Sequence, residues 1–149
     1  MVLFSTMTAK RKYIEEHTAD ILFQAEASTL GELFEQCGMA VEESQIELKN
    51  VSQEVEKEIT GENKNVEYLL FDFLDDLLFH KDADQLIFSK FKIKVDEVDD
   101  LFVMNCKAFG EKIDRGKHEQ LVDVKAITMH MFEVKKEKGI WKAQVLIDI

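Results

Sequence analysis

Two acids stand where acids are not expected. The segment EEHTADILFQAEA (residues 15–27) places His17 and Asp20, separated by Thr18 and Ala19, directly before an alternating stretch in which Ile21, Phe23, Ala25 and Ala27 share one face. That alternation predicts a half-buried β-strand approached through a turn. The sequence closes on Val145-Leu146-Ile147-Asp148-Ile149, an apolar strand interrupted by an acid one residue from the last. If the last strand lies beside the first or second, Asp20, Asp148 and the terminal carboxylate come together. Clustered carboxylates repel one another unless a cation joins them. An all-oxygen set suits a hard divalent ion such as Ca²⁺, Mg²⁺ or Mn²⁺ and not zinc. Spacing alone leaves two readings open: such a site, or a solvated turn and an outward-facing acid.

Positioning those residues is the task of an α+β chain. Its 149 residues, 46% hydrophobic with 11 Phe, suffice for one domain with a substantial core. A short strand is expected at Lys12–Glu16, then the strand Ile21–Ala27. Thr29 and Glu32 match a capping box, and Leu30, Phe34, Cys37 and Val41 follow at helical spacing to about Glu43. Residues 46–60 alternate in IELKNV and EVEKEIT, which suggests one strand of a sheet exposed on one side, with an interruption near Ser52. A second helix, capped by Asn63 or Asn65, runs to about Phe79 with a wide stripe of Val66, Leu69, Leu70, Phe73, Leu74, Leu77 and Leu78. From Ile87 onward the chain reads as antiparallel strands, with turns at DEVDD and KKEKG and a polar connection over residues 110–120. The expectation is a single compact α+β domain, with a mostly antiparallel or mixed sheet of about six or seven strands and two helices packed on one face of it.

Other candidate sites read as structure. Asp72, Asp75 and Asp76 lie on the polar side of an amphipathic helix, as a solvated face requires. His80 and His118 fall in polar connections and His130 on a strand, none at a recognised metal spacing. There is no Gly-rich phosphate loop, nucleophile elbow or Cys/His zinc pattern. Cys37 and Cys106 each lie on an apolar face, which predicts buried free thiols and fits a reducing compartment. The first residues lack the order of a signal peptide, and no run reaches membrane-spanning length. A soluble, intracellular protein is expected. The formal net charge of −11 argues against nucleic-acid binding as the main activity, since that affinity comes from Lys and Arg on phosphates. A basic protein partner suits such a surface better.

HTAD near the start, LGELFEQCGMAV on the first helix, LLFDFLDDLLF on the second, then GE…H, VKAIT and a closing VLIDI occur together and in order. In this set the sequence resembles the archease family, from about Tyr13 to Ile149. The resemblance implies an archease-like domain over residues 12–149 behind an N-terminal extension of residues 1–11. It implies a non-enzymatic accessory protein of tRNA splicing. Such a protein activates the tRNA-splicing RNA ligase by promoting its GTP- and divalent-metal-dependent guanylylation and repeated turnover. It further implies a divalent metal, Ca²⁺ first with Mg²⁺ or Mn²⁺ as alternatives, held by Asp20, Asp148 and the backbone or terminal oxygens of Ile149. His17 would support the turn. The location implied is cytoplasmic, with the nucleus as the alternative. A general chaperone for RNA-modifying enzymes and a small metal-dependent hydrolase are the competing functions; the second lacks a general base beside the proposed metal. GENKNVEY, longer than the common family form by about two residues, departs from the pattern away from the motif residues.

Overall fold

The computed structural model describes residues 9–16 and 20–149. Seven strands and two helices follow in the order β1 (Lys10–Glu16), β2 (Asp20–Ala27), α1 (Leu30–Gln45), β3 (Val55–Asn63), α2 (Val66–Asp84), β4 (Leu86–Val98), β5 (Leu101–Lys112), β6 (Ala126–Glu137) and β7 (Ile140–Asp148). The strands divide between two wholly antiparallel sheets, β1-β2-β7-β6 and β3-β5-β4. This is a single α+β domain. Both helices touch both sheets: α1 packs on β2, β7 and β4, and α2 on β6 and β3.

Local chemistry sets the element ends. The Thr29 hydroxyl accepts the Glu32 N–H and donates to the Glu32 carboxylate, closing the capping box of α1. Asn65 caps α2 through the Tyr68 N–H. The hairpins β4–β5 and β6–β7 turn on Asp99-Asp100 and Lys138-Gly139, all four residues at positive φ, as tight two-residue hairpin loops require. Inside, Phe23, Phe34, Phe73 and Phe88 are fully buried, with Phe34 stacked on Phe73 and Phe91 edge-on to the latter. Burying each such side chain contributes roughly 1.5–3 kcal/mol.

The stretch read as one exposed strand departs from expectation in its first half. Ile46 makes an isolated bridge to Gln120, Leu48–Asn50 forms a 3-10 turn, and the strand starts only at Val55. Ile46, Val51 and Ile87 form a satellite core, so these apolar residues pack as a plug and not as one face of a ladder. The second helix also continues past Phe79 to Asp84, which puts His80 on the helix, hydrogen-bonded to Asp84 at 3.2 Å. Cys37 and Cys106 are both free and buried. Burial pushes the Cys106 thiol up to about 12 and that of Cys37 higher still. Neither thiol should react with a bulky disulfide reagent in the native protein, whereas both should after denaturation; rapid native labelling would contradict the packing.

Acidic side chains of the helices cap two of the four sheet edges, β4 and β6. Glu42 on α1 accepts the Phe88 N–H of edge strand β4 at 2.8 Å, and Glu35 accepts the Ile93 N–H at 2.9 Å. Glu67 on α2 does the same for Val134 of edge strand β6. These carboxylates satisfy donors that would otherwise template a foreign strand. Glu42 is fully buried, and desolvation raises its carboxyl to about 8 despite the Phe88 N–H and nearby Lys81. The unfolded chain ionises this group near 4.5. The native state therefore holds the proton more tightly between those values, and stability falls as pH rises through that window. Glu42→Gln keeps the acceptor and removes the titration. Thermal melts between pH 5 and 9 should show the wild type losing stability relative to Glu42→Gln; parallel curves would refute the assignment.

Candidate functional site

Register brings the two motif acids together. In the β2–β7 ladder Asp20 pairs with Asp148, Leu22 with Leu146, Gln24 with Gln144 and Glu26 with Lys142. Ile21, Phe23, Ala25 and Ala27 go to the core with Ala143, Val145 and Ile147, so Asp20 and Asp148 share the opposite face at one end of the sheet. Directly opposed residues on antiparallel strands have Cα atoms about 4.5–5.5 Å apart. On the other side of Asp148 stands Ala126, whose small side chain leaves the acid pair uncrowded.

The end of β7 is fixed from the β6 side. The Lys125 N–H donates to the Asp148 carbonyl at 2.8 Å. Lys125 is itself held by a stapled connection. The Leu121 and Val122 N–H groups donate to the Gln45 and Ser44 carbonyls at the end of α1, and the Lys81 ammonium binds Gln45, Asp123 and the Val124 carbonyl at 2.7–2.9 Å. Further back, His118 is buried. Its Nδ1 accepts the Asp114 N–H at 2.9 Å, so the other ring nitrogen donates to Glu111 at 2.9 Å. Glu111 also binds Lys117 and the Ser52 N–H, and the Lys117 ammonium with these donors holds its carboxyl down at about 2. The GE…H motif is thus a latch on the connection that delivers β6 to Asp148. Sequence patterning placed His118 in a polar connection; the Gly110-Glu111 pair eight residues earlier was the available signal for its partner.

The donor chemistry of the pair is hard oxygen throughout. Like charges directly opposite on neighbouring strands repel. Among the described residues no Lys or Arg side chain forms an ion pair with Asp20 or Asp148. A divalent cation between them would relieve that repulsion, and the backbone oxygens of Asp148 and Ile149 are of the same class. Among the described residues no three His, Cys, Asp or Glu side chains converge on one metal position. A cation placed between the pair would draw its side-chain ligands from these two carboxylates and its remaining positions from main chain, water or a partner. His17 lies outside the described residues. His130, expected on a strand, is exposed in an irregular stretch of β6, where three extra residues stand between the Thr128–Leu146 and Glu133–Gln144 pairs and Met131 has φ 60°. Asp72 and Asp75 are exposed and Asp76 is half-buried, all on α2 and separate from the sheet face that carries Asp20.

Comparison with known proteins agrees over nearly the whole chain. The model of the Archease protein family matches residues 13–149. The protein archease of Methanothermobacter thermautotrophicus is 42% identical over 134 residues, covering 89% of this chain and 94% of that relative. The protein archease of Pyrococcus furiosus is 38% identical over 135 residues, covering 90% and 95%. The solution structure of Methanobacterium thermoautotrophicum protein 1598 superposes with a TM-score of 0.83 at 37% identity, over 93% of this chain and 98% of that one. The crystal structure of a Thermotoga maritima archease, described as a possible chaperone, shares the fold at 20% identity, with a TM-score of 0.62 over 93% and 97% of the two chains. No helix among the described residues is long and apolar enough to cross a membrane.

Proposed function

This chain belongs to the archease family, and from that premise we propose that it is a non-enzymatic accessory protein of tRNA splicing. It activates the RNA-splicing ligase by promoting the GTP- and divalent-metal-dependent guanylylation of that enzyme, and so its repeated turnover. The observation that carries this reading is the direct pairing of Asp20 with Asp148 across β2 and β7. The two acids come from the motifs HTAD and VLIDI, at opposite ends of the sequence, and form one anionic end of a rigid sheet.

A divalent ion, Ca²⁺ first, would be held there by the two carboxylates and by oxygens of Ile149. When bound, it would neutralise the pair and offer its open positions to oxygen atoms of the partner. The protein's own residues do the rest. The carboxylates present a compact acidic tip complementary to the basic mouth of a nucleotide-binding site. The Lys125–Asp148 hydrogen bond and the staple behind it keep that tip from relaxing. Activation follows if the tip binds the guanylylation-competent ligase more tightly than the idle one. A metal supplied without the domain would not reproduce that preference.

The deciding experiment is guanylylation of the purified ligase with GTP and divalent metal, with and without this protein at substoichiometric ratio. Faster label incorporation and multiple rounds of ligation are expected. An unchanged rate with a ligase known to be active would refute the proposal. If stimulation extends equally to unrelated RNA-modifying enzymes, a general chaperone role replaces it.

A further inference from the structure

The outward face of α2 carries a pattern that neither the core nor the acidic tip uses. Tyr68, Asp72, Asp75 and Phe79 stand at i, i+4, i+7 and i+11, so they lie in one stripe along the helix, about 16 Å from end to end. Tyr68 is 51% exposed and Phe79 62%, the latter the most exposed large apolar side chain among the described residues. The opposite stripe of the same helix, Leu70, Phe73, Leu74 and Leu77, is buried against the core, so the aromatics outside are not spare core residues. Asp72 and Asp75 fill the middle of the stripe. Among the described residues neither forms an ion pair with a Lys or Arg, and Lys81, the cation of this helix, is turned toward Asp123 and Gln45.

We infer that this stripe is a docking surface for a basic amphipathic segment of another protein. Two carboxylates in the centre and an aromatic at each end fit a segment with Arg or Lys at its middle and apolar residues flanking them. The aromatics supply large contact area at low entropic cost, and the guanidinium or ammonium groups meet both Asp carboxylates and ring faces. The chain's net charge of −11 favours this class of partner and disfavours nucleic acid and anionic membrane. The surface shares no residue with the Asp20–Asp148 tip, so it provides a second attachment that the tip alone does not.

The test uses a synthetic 18-residue helical peptide of Leu and Arg with one apolar face, titrated into the isotope-labelled full chain and followed by amide chemical shifts. Saturable shifts centred on Tyr68, Asp72, Asp75 and Phe79 are expected. A scrambled peptide of the same composition should bind about tenfold more weakly or worse. Asp72→Asn with Asp75→Asn should lower affinity about tenfold and remove most of its salt dependence, and Tyr68→Ser with Phe79→Ser should lower it comparably at unchanged salt dependence. Thermal melts of both double variants should match the wild type, since all four side chains face solvent. Shifts centred elsewhere, equal affinity for the scrambled peptide, or folded variants that bind like the wild type would overturn the inference. So would concentration-dependent shifts at the stripe without peptide, which would make a second copy of this chain its occupant.

Discussion

Asp20→Ala should leave the protein folded and remove the proposed stimulation of ligase guanylylation. Fold retention follows from the register: Asp20 faces an identical charge on Asp148, so truncation relieves a repulsion and deletes no packed surface. The unfolding free energy from chemical denaturation should change by less than about 1 kcal/mol. Loss of stimulation follows on either mechanism, because the same carboxylate would hold the ion and meet the basic partner. Asp148→Ala should behave alike, since the Asp148 carbonyl that binds Lys125 survives the substitution. Calorimetric titration with Ca²⁺ should lose its binding event in both variants. Excess divalent metal then separates the mechanisms: an ion donor becomes dispensable, whereas a conformational activator does not, and continued dependence on the protein is the expected result. A folded Asp20→Ala protein with full stimulating power would reduce the HTAD segment to a turn.

Gly110→Ala should cost about 3–5 kcal/mol of stability or prevent folding. A Cβ at this position would lie 1.9 Å from the Ile87 carbonyl oxygen and 2.7 Å from the Phe88 Cα. Both are backbone atoms of β4, the strand beside it, and neither can rotate away. β4 would have to separate from β5 just where its irregular step between Phe88 and Lys90 brings the strands close. Relief by movement of Phe88 would break its N–H contact with Glu42, and movement of β5 would drag Glu111 from Ser52 and His118. The control is Gly61→Ala on β3, where the added methyl meets only side-chain ends, Leu69 Cδ1 at 3.2 Å and Met104 Cε at 4.0 Å. That variant should lose no more than about 1 kcal/mol. Equal stabilities for the two would show that the β4–β5 contact yields more easily than its geometry implies.

Much of this was legible in the sequence, and the remainder was illegible for physical reasons. Alternation identified β2 and β7 and the face each buries, and motif matching joined Asp20 to Asp148. Capping residues marked the starts of both helices, and the two-residue turns at Asp99-Asp100 and Lys138-Gly139 fell where charged turn segments were read. Alternation does not name a strand's neighbours, which is why the division into two sheets was not visible. Nor does polarity reveal burial. Glu42 is a charged residue of α1 outside its apolar stripe, yet it is buried, with its carboxylate accepting the Phe88 N–H of an edge strand. Ile46 and Val51 read as strand residues because a plug against Ile87 uses the same residue types as a ladder.

The pairing of Asp20 with Asp148 joins positions 148 − 20 = 128 apart in the sequence. Contacts of such high separation carry a larger loop-closure cost, so this ladder is expected to form after local hairpins such as β4–β5 and β6–β7. The acidic tip therefore comes into existence only when the last ladder has zipped onto β2. Half-folded copies hold both acids but leave them unpaired, and copies truncated before β7 lack Asp148 altogether. On the proposed function, a partner that recognises the pair would count only finished molecules, and the activating contact would also certify that the activator has folded.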